Sequence, residues 1–255
     1  VISNEILKLK EFGIQINSFV ADNQRSQKSA LDHRSSKSIQ YLDKKNFQGI
    51  IFCPCQCHTL ALAIKDMEEY PPFNSMMLDL LNCSKLLRTK KYSSLIKKSC
   101  PGYCPTRWTI IFNIAQFFIL NIQNILRFLE DFHEYESDVQ KEIISNLELI
   151  LTVISDISPK LVILLICYSK LIQILESDST PFCFSDHLIE QAKMKTFEIV
   201  NEYCPDIADI AEELNSKISE RQIWGGGEMS KAFYLLTLQG KKEFSSQFFH
   251  IEENE

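Results

Sequence analysis

Cys53, Cys55, Cys57 and His58 put four soft or titratable side chains within six residues. Zinc would be their obvious ligand. It takes four donors in a tetrahedron, usually supplied as two close pairs. Cys55 with His58 offers one pair, and Cys100 with Cys104 offers a second. Two features weigh against it. Alternate residues of an extended segment share a face but stand about 7 Å apart, so Cys53, Cys55 and Cys57 need a sharp turn to converge on one ion. The two pairs also lie further apart in sequence than a finger or ribbon uses. Buried thiols beside a hydrogen-bonded histidine are the plainer reading. A Cys–His nucleophile of the protease type has no supporting residue context here.

Two other short groups could do chemistry. Asp22 follows the apolar run Phe19-Val20-Ala21, which reads as a strand. A carboxylate just beyond the carboxyl end of a buried strand stands where side chains converge on a crevice. Asp22-Asn23 could equally cap the next helix. Downstream, Pro105-Thr106-Arg107-Trp108 sets an aromatic ring beside a guanidinium, a pair suited to stacking on an unpaired base. A core aromatic at a helix start is the alternative for Trp108.

The elements that must position these residues follow from periodicity. A short amphipathic helix over 2–11 ends at Gly13, and strands are expected at Ile14 to Ala21 and Gly49 to Cys53. Helices are expected over His58 to Glu69, over 75–98, and from Thr106 along a stripe of Phe118, Ile122, Ile125, Leu129 and Phe132. Beyond that only helices are read: Val139 to Ile157, Ser158 to about Glu176, Ser185 to Tyr203, Pro205 to about Ile223, and Met229 to Leu238 after the Gly225-Gly226-Gly227 break. The expected fold class is α+β and predominantly helical, an α/β portion over 1–115 followed by an all-α region over 116–255.

The 255 residues are 45% hydrophobic and 24% charged, with a formal net charge of −6. That is a globular composition, and the acidic balance argues against a chain-wide electrostatic grip on nucleic acid. The local exception is Arg88 to Lys91 with Lys97 and Lys98, more simply a solvated face. Nine scattered cysteines and no signal peptide point to reduced thiols in a nuclear or cytoplasmic protein that is not secreted. The most apolar run, Leu161 to Cys167, is too short to span a bilayer, so no membrane segment is expected. The opening at Val1 rather than Met suggests that the first residues of a longer protein are missing.

Taken together and in order, Ala21-Asp22-Asn23, the block Cys55-x-x-His58-Thr59-Leu60-x-Leu62-x-x-Lys65-Asp66, and Pro105-Thr106-Arg107-Trp108 resemble the hAT superfamily of DNA transposases. The likeness covers about residues 10–110. It implies an incomplete RNase H-like core followed by a helical insertion-type domain, with DNA as partner. The implied chemistry is DNA cleavage and joining at two divalent ions (Mg2+ or Mn2+ in an intact relative) held by two Asp and one Glu. By position Asp22 corresponds to the second catalytic Asp and a metal ligand. Cys55 and His58 correspond to a pair supporting the active site, and Arg107 and Trp108 to a DNA-binding pair. The first Asp would precede Val1. The terminal Glu is matched only by Glu220, in Ser219-Glu220-Arg221, where Gln222-Ile223-Trp224 replaces the expected Phe and Ser; it reads as coincidence. One carboxylate cannot hold two ions, so the chain as given is expected to bind no metal tightly and to be an inactive, transposase-derived protein. The competing expectations are a helical scaffold that holds protein partners or a second copy of itself, and a zinc-binding structural module.

Overall fold

The computed structural model describes residues 11–12, 18–21, 51–89, 93, 96, 98–104, 109–131, 137–176 and 184–224. Asp22, Arg107, Trp108, Phe132 and the triple glycine lie outside them. By compactness the chain divides into two units. The first comprises Val1–Leu60, Leu175–His187 and Ser219–Glu255; the second comprises Ala61–Ile174 and Leu188–Ile218.

In the first unit, β1 (Ser18–Ala21) and β2 (Ile51–Pro54) pair in parallel, with Ala21 opposite Pro54. Four residues each is all that they contribute. The expected RNase H-like α/β portion is therefore not present among the described residues, which are otherwise almost wholly helical. The reason lies in the segment after β2. Leu60, Ala63, Ile64, Met67, Phe73, Met77 and Leu80 recur at three- and four-residue intervals and are buried, so the apolar material expected to support a sheet serves helix–helix packing instead.

The helices are α1 (Gln56–Asp66), α2 (Pro71–Leu87), α3 (Thr109–Leu120), α4 (Ile122–Glu130), α5 (Ser137–Thr152), α6 (Ser158–Leu175), α7 (Ser185–Tyr203) and α8 (Ala208–Trp224). Short 3-10 turns at Met67–Glu69 and Pro205–Ile207 precede α2 and α8. Pro71 does not merely stop one helix; it begins the next, where its missing N–H costs nothing. Residue 115 lies inside the second unit, on α3, whose Ile114, Ala115 and Phe118 are buried.

The long helix expected from Thr106 onward is broken at Asn121, and α3 and α4 meet at 59°. Asn121 adopts φ −114° and its amide donates to the Phe117 carbonyl at 2.8 Å. A side chain that bonds back to the preceding turn competes with regular helix and bends it.

The expected new start at Ser158-Pro159 is not a start. The chain runs continuously helical from α5 into α6 through a π turn at Val153–Ile157. A proline inside an α-helix lacks a donor and collides with the carbonyl one turn back. The widened π turn just before Pro159 makes room for it. The resulting helical run Gln140–Leu175 is long and apolar enough to cross a membrane by length and composition. Within it Ile150, Val153, Ile154, Ile157, Leu161, Leu164, Leu165 and Tyr168 are buried in the protein, while Ile144, Leu151 and Ile174 are exposed.

In the second unit α2 packs on α3, α5 and the π turn. The segment after α2 is tied back by Ser84, which donates to the Pro101 carbonyl at 3.1 Å, and by the Tyr103 hydroxyl, which donates to Glu68 at 3.2 Å. A Cβ at Gly102 would meet only the far end of the exposed Arg88 side chain, which can move aside. Lys160 bridges Asp156 and Asp206, both at 2.6 Å, joining α6 to the turn before α8.

The bridge sets a pH dependence. Hydrogen bonds from Lys160 hold the Asp206 carboxyl below its usual range, while Asp156 and Asp206 raise the Lys160 ammonium. Stability from Asp206 is then complete above its unfolded value and is lost as pH falls through its depressed folded value; that from Lys160 is lost only as pH rises beyond its raised one. Lys160→Met is expected to lower the thermal midpoint at pH 7, with the gap to the parent narrowing below about pH 4. A gap independent of pH in the acid range would show that the bridge contributes only packing.

Candidate functional site

The site is built where β2 hands over to α1. Pro54 ends the strand, and α1 begins at Gln56 without a loop. The Cys55 carbonyl takes the first helical hydrogen bond, from the Thr59 N–H at 3.0 Å, and the Thr59 hydroxyl donates to the same oxygen at 3.0 Å. Cys55 is thus the residue from which the helix starts, a position usually given to Ser, Thr, Asp or Asn. Cys55, Cys57 and His58 are half-buried and Thr59 is buried.

This geometry changes the reading of the cysteines. The chain turns helical between Cys55 and Cys57, which breaks the extended row they would otherwise share. The neighbouring Cys55, then burial, then the charge of Glu176 push the Cys57 thiol well above its ordinary range. Glu176, at the end of α6, was not singled out from sequence. Nothing in its local pattern could have done so, because 119 positions (176 less 57) separate it from Cys57.

Cys100, offered as part of a second zinc pair, is buried at the end of the segment that follows α2. Its thiol donates to the Ser84 hydroxyl at 3.4 Å. Burial raises it, while Ser84 and the Arg88 charge pull it back. Cys83 is buried on α2 and raised chiefly by burial. Among the described residues no group of three or more His, Cys, Asp or Glu side chains is arranged to hold a metal ion.

Of the residues matched to the transposase pattern, Cys55 and His58 fall on the first turn of α1, and Asp22, Arg107 and Trp108 lie outside the described residues. Glu220 is exposed on α8. Two residues on, Gln222 is buried and donates to Asp186 on α7 at 2.9 Å. The register of the strand pair adds one relation that the sequence alone lacks. Ala21 and Pro54, the residues directly before Asp22 and Cys55, are side by side at the carboxyl ends of parallel strands.

No family model, curated protein or solved structure matches the chain.

Proposed function

We propose that the chain is derived from a hAT-type DNA transposase and now binds DNA without cutting it. The observation that carries this reading is the strand register. It brings together the two strand ends that lead into Asp22 and Cys55, and the first turn of α1 follows at once with His58. Those are two of the three blocks whose order carries the resemblance. Strand transfer needs two divalent ions clamped between carboxylates, and one matched carboxylate does not make that clamp. What would persist is recognition of DNA through Arg107 and Trp108, with the protein working in the nucleus.

The test is binding to a labelled DNA hairpin carrying one unpaired base, followed by fluorescence anisotropy at several salt concentrations. The parent is expected to bind with an affinity that falls as salt rises. Trp108→Ala is expected to weaken binding about 5- to 150-fold, the range given by roughly 1–3 kcal/mol of base stacking. No salt-dependent binding by the parent, or equal binding by the variant, would overturn the reading.

A second reading, a helical scaffold for protein partners, has its own observation. Ile144, Leu147 and Leu151 are exposed along one face of α5, at spacings of three and four residues. Leu147 was expected inside; α2 packs on α5, where Ile143 and Ile150 are buried. Failure of the DNA experiment would leave this reading in place.

A further inference from the structure

From residue 80 to residue 129 the chain carries eight Lys or Arg side chains and no Asp or Glu. The rest holds all 33 Asp and Glu against 19 of the 27 Lys and Arg, which is how the whole comes to a net charge of −6. A solvated face alone calls for interspersed signs, not for one sign over so long a stretch. Lys85, Arg88, Lys98 and Arg127 of this stretch are described, and all four are exposed. Among the described residues none of the four is paired with a carboxylate. We propose, resting on the DNA-binding reading above, that Lys85, Arg88 and Lys98 hold the backbone phosphates flanking the base stacked on Trp108.

The fold gathers these three cations at one end of α2. Lys85 and Arg88 are three residues apart, so they share one side of its last turn. Lys98 is brought back to that turn by Cys100, which is buried and donates to Ser84, the neighbour of Lys85, at 3.4 Å. The Arg88 guanidinium lies over Gly102. Ser84 and Glu68 hold the same segment through Pro101 and Tyr103.

From Gly102 the chain reaches Arg107 in five residues, a span of at most about 18 Å. Phosphates of one strand follow each other about every 3.4 Å along a duplex, so the cluster stands within about five nucleotides of the stacking pair. Three cations crowded without a counter-charge repel one another. A phosphate backbone, with one charge per step along a line, relieves that repulsion and leads on to Arg107 and Trp108.

The test uses the full chain, the labelled hairpin with one unpaired base and a fully paired hairpin, with anisotropy read at several salt concentrations. Each phosphate contact adds about 0.7–0.9 to the steepness with which log affinity falls against log salt. The combined variant Lys85→Gln, Arg88→Gln, Lys98→Gln should lower that steepness by about 2–3 and keep the parent's preference for the unpaired base. Trp108→Ala should do the reverse, losing the preference and keeping the salt dependence. Lys141→Gln, Lys170→Gln, Lys195→Gln together make the same change in net charge at exposed lysines outside the stretch, and should leave the salt dependence as in the parent. Lys85→Gln alone exchanges two equally good helix formers and should lower the steepness by about 0.7–0.9, so the test survives a combined variant that fails to fold. Absence of salt-dependent binding by the parent sinks the DNA-binding reading and the phosphate cluster with it. A parent that binds with the same salt dependence as the cluster variant, or a control variant that lowers it as far, overturns the cluster alone.

Discussion

Phe118→Ala is expected to destabilise the protein by about 3–5 kcal/mol, read as a lowered urea midpoint with an unchanged slope. Phe118 is fully buried on α3, and its ring meets Phe117 edge-on, with centroids 5.8 Å apart and planes at 86°. Close-packed interiors relax only partly around a deleted ring, so a cavity term adds to the lost transfer energy. A domain holds about 5–15 kcal/mol in all, so this one change removes a large share. Phe118→Leu keeps most of the volume and should cost less than about 1.5 kcal/mol. Equal losses for both variants would mean that α3 is held by something other than this ring.

The second large effect is at a polar pair joining the fully buried Tyr168 to the half-buried Asn215. The Tyr168 hydroxyl on α6 donates to the Asn215 side-chain oxygen on α8 at 2.5 Å, and the Asn215 amide reaches the Lys193 carbonyl on α7 at 3.4 Å. Burial pushes the Tyr168 hydroxyl far above its ordinary range. Thr196 lies beside it, but its Oγ1 has no hydrogen bond of good geometry to serve as a replacement. Asn215→Leu should therefore cost about 2–3 kcal/mol, most of it the penalty of a buried donor left without an acceptor. Tyr168→Phe alone should cost about 1 kcal/mol. The double variant should be more stable than Asn215→Leu alone, because removing both partners also removes the stranded group. Strict additivity of the two single effects would show that the pair is not coupled.

Much of the helical architecture was legible from spacing. α7 was expected at Ser185 to Tyr203 and is found there, because its ends carry strong local signals. The buried faces of α1, α2 and α8 were also read correctly, through Leu60, Ile64, Met77, Leu80, Ile210, Leu214 and Ile218. Phe73 was missed, since it follows two prolines that read as a terminator and are instead the first turn of α2. The α/β reading failed for a different reason. The two apolar runs read as strands do pair as β1 and β2, but among the described residues no further strand joins them, and the rest of the apolar material is helical. The start of α1 at Gln56, two residues before the expected one, was hidden because a cysteine is not a residue from which a helix start is ordinarily read. Asn121 shows the opposite case: its residue type was visible, but the bend follows from a hydrogen bond that its type only allows.

The π turn at Val153–Ile157 has a bearing on how this chain tolerates change. Each residue of an α-helix advances the side chains by about 100°. A π turn holds one residue more than the α-helical turn it replaces. It therefore sets the phase between Ile143 and Ile150 on one side and Leu161, Leu164 and Tyr168 on the other, all of which are buried. What is constrained at that point is the count of residues more than their identity. Exchanges of similar size keep both stripes aimed inward, whereas an insertion or deletion rotates one half of the run against the other.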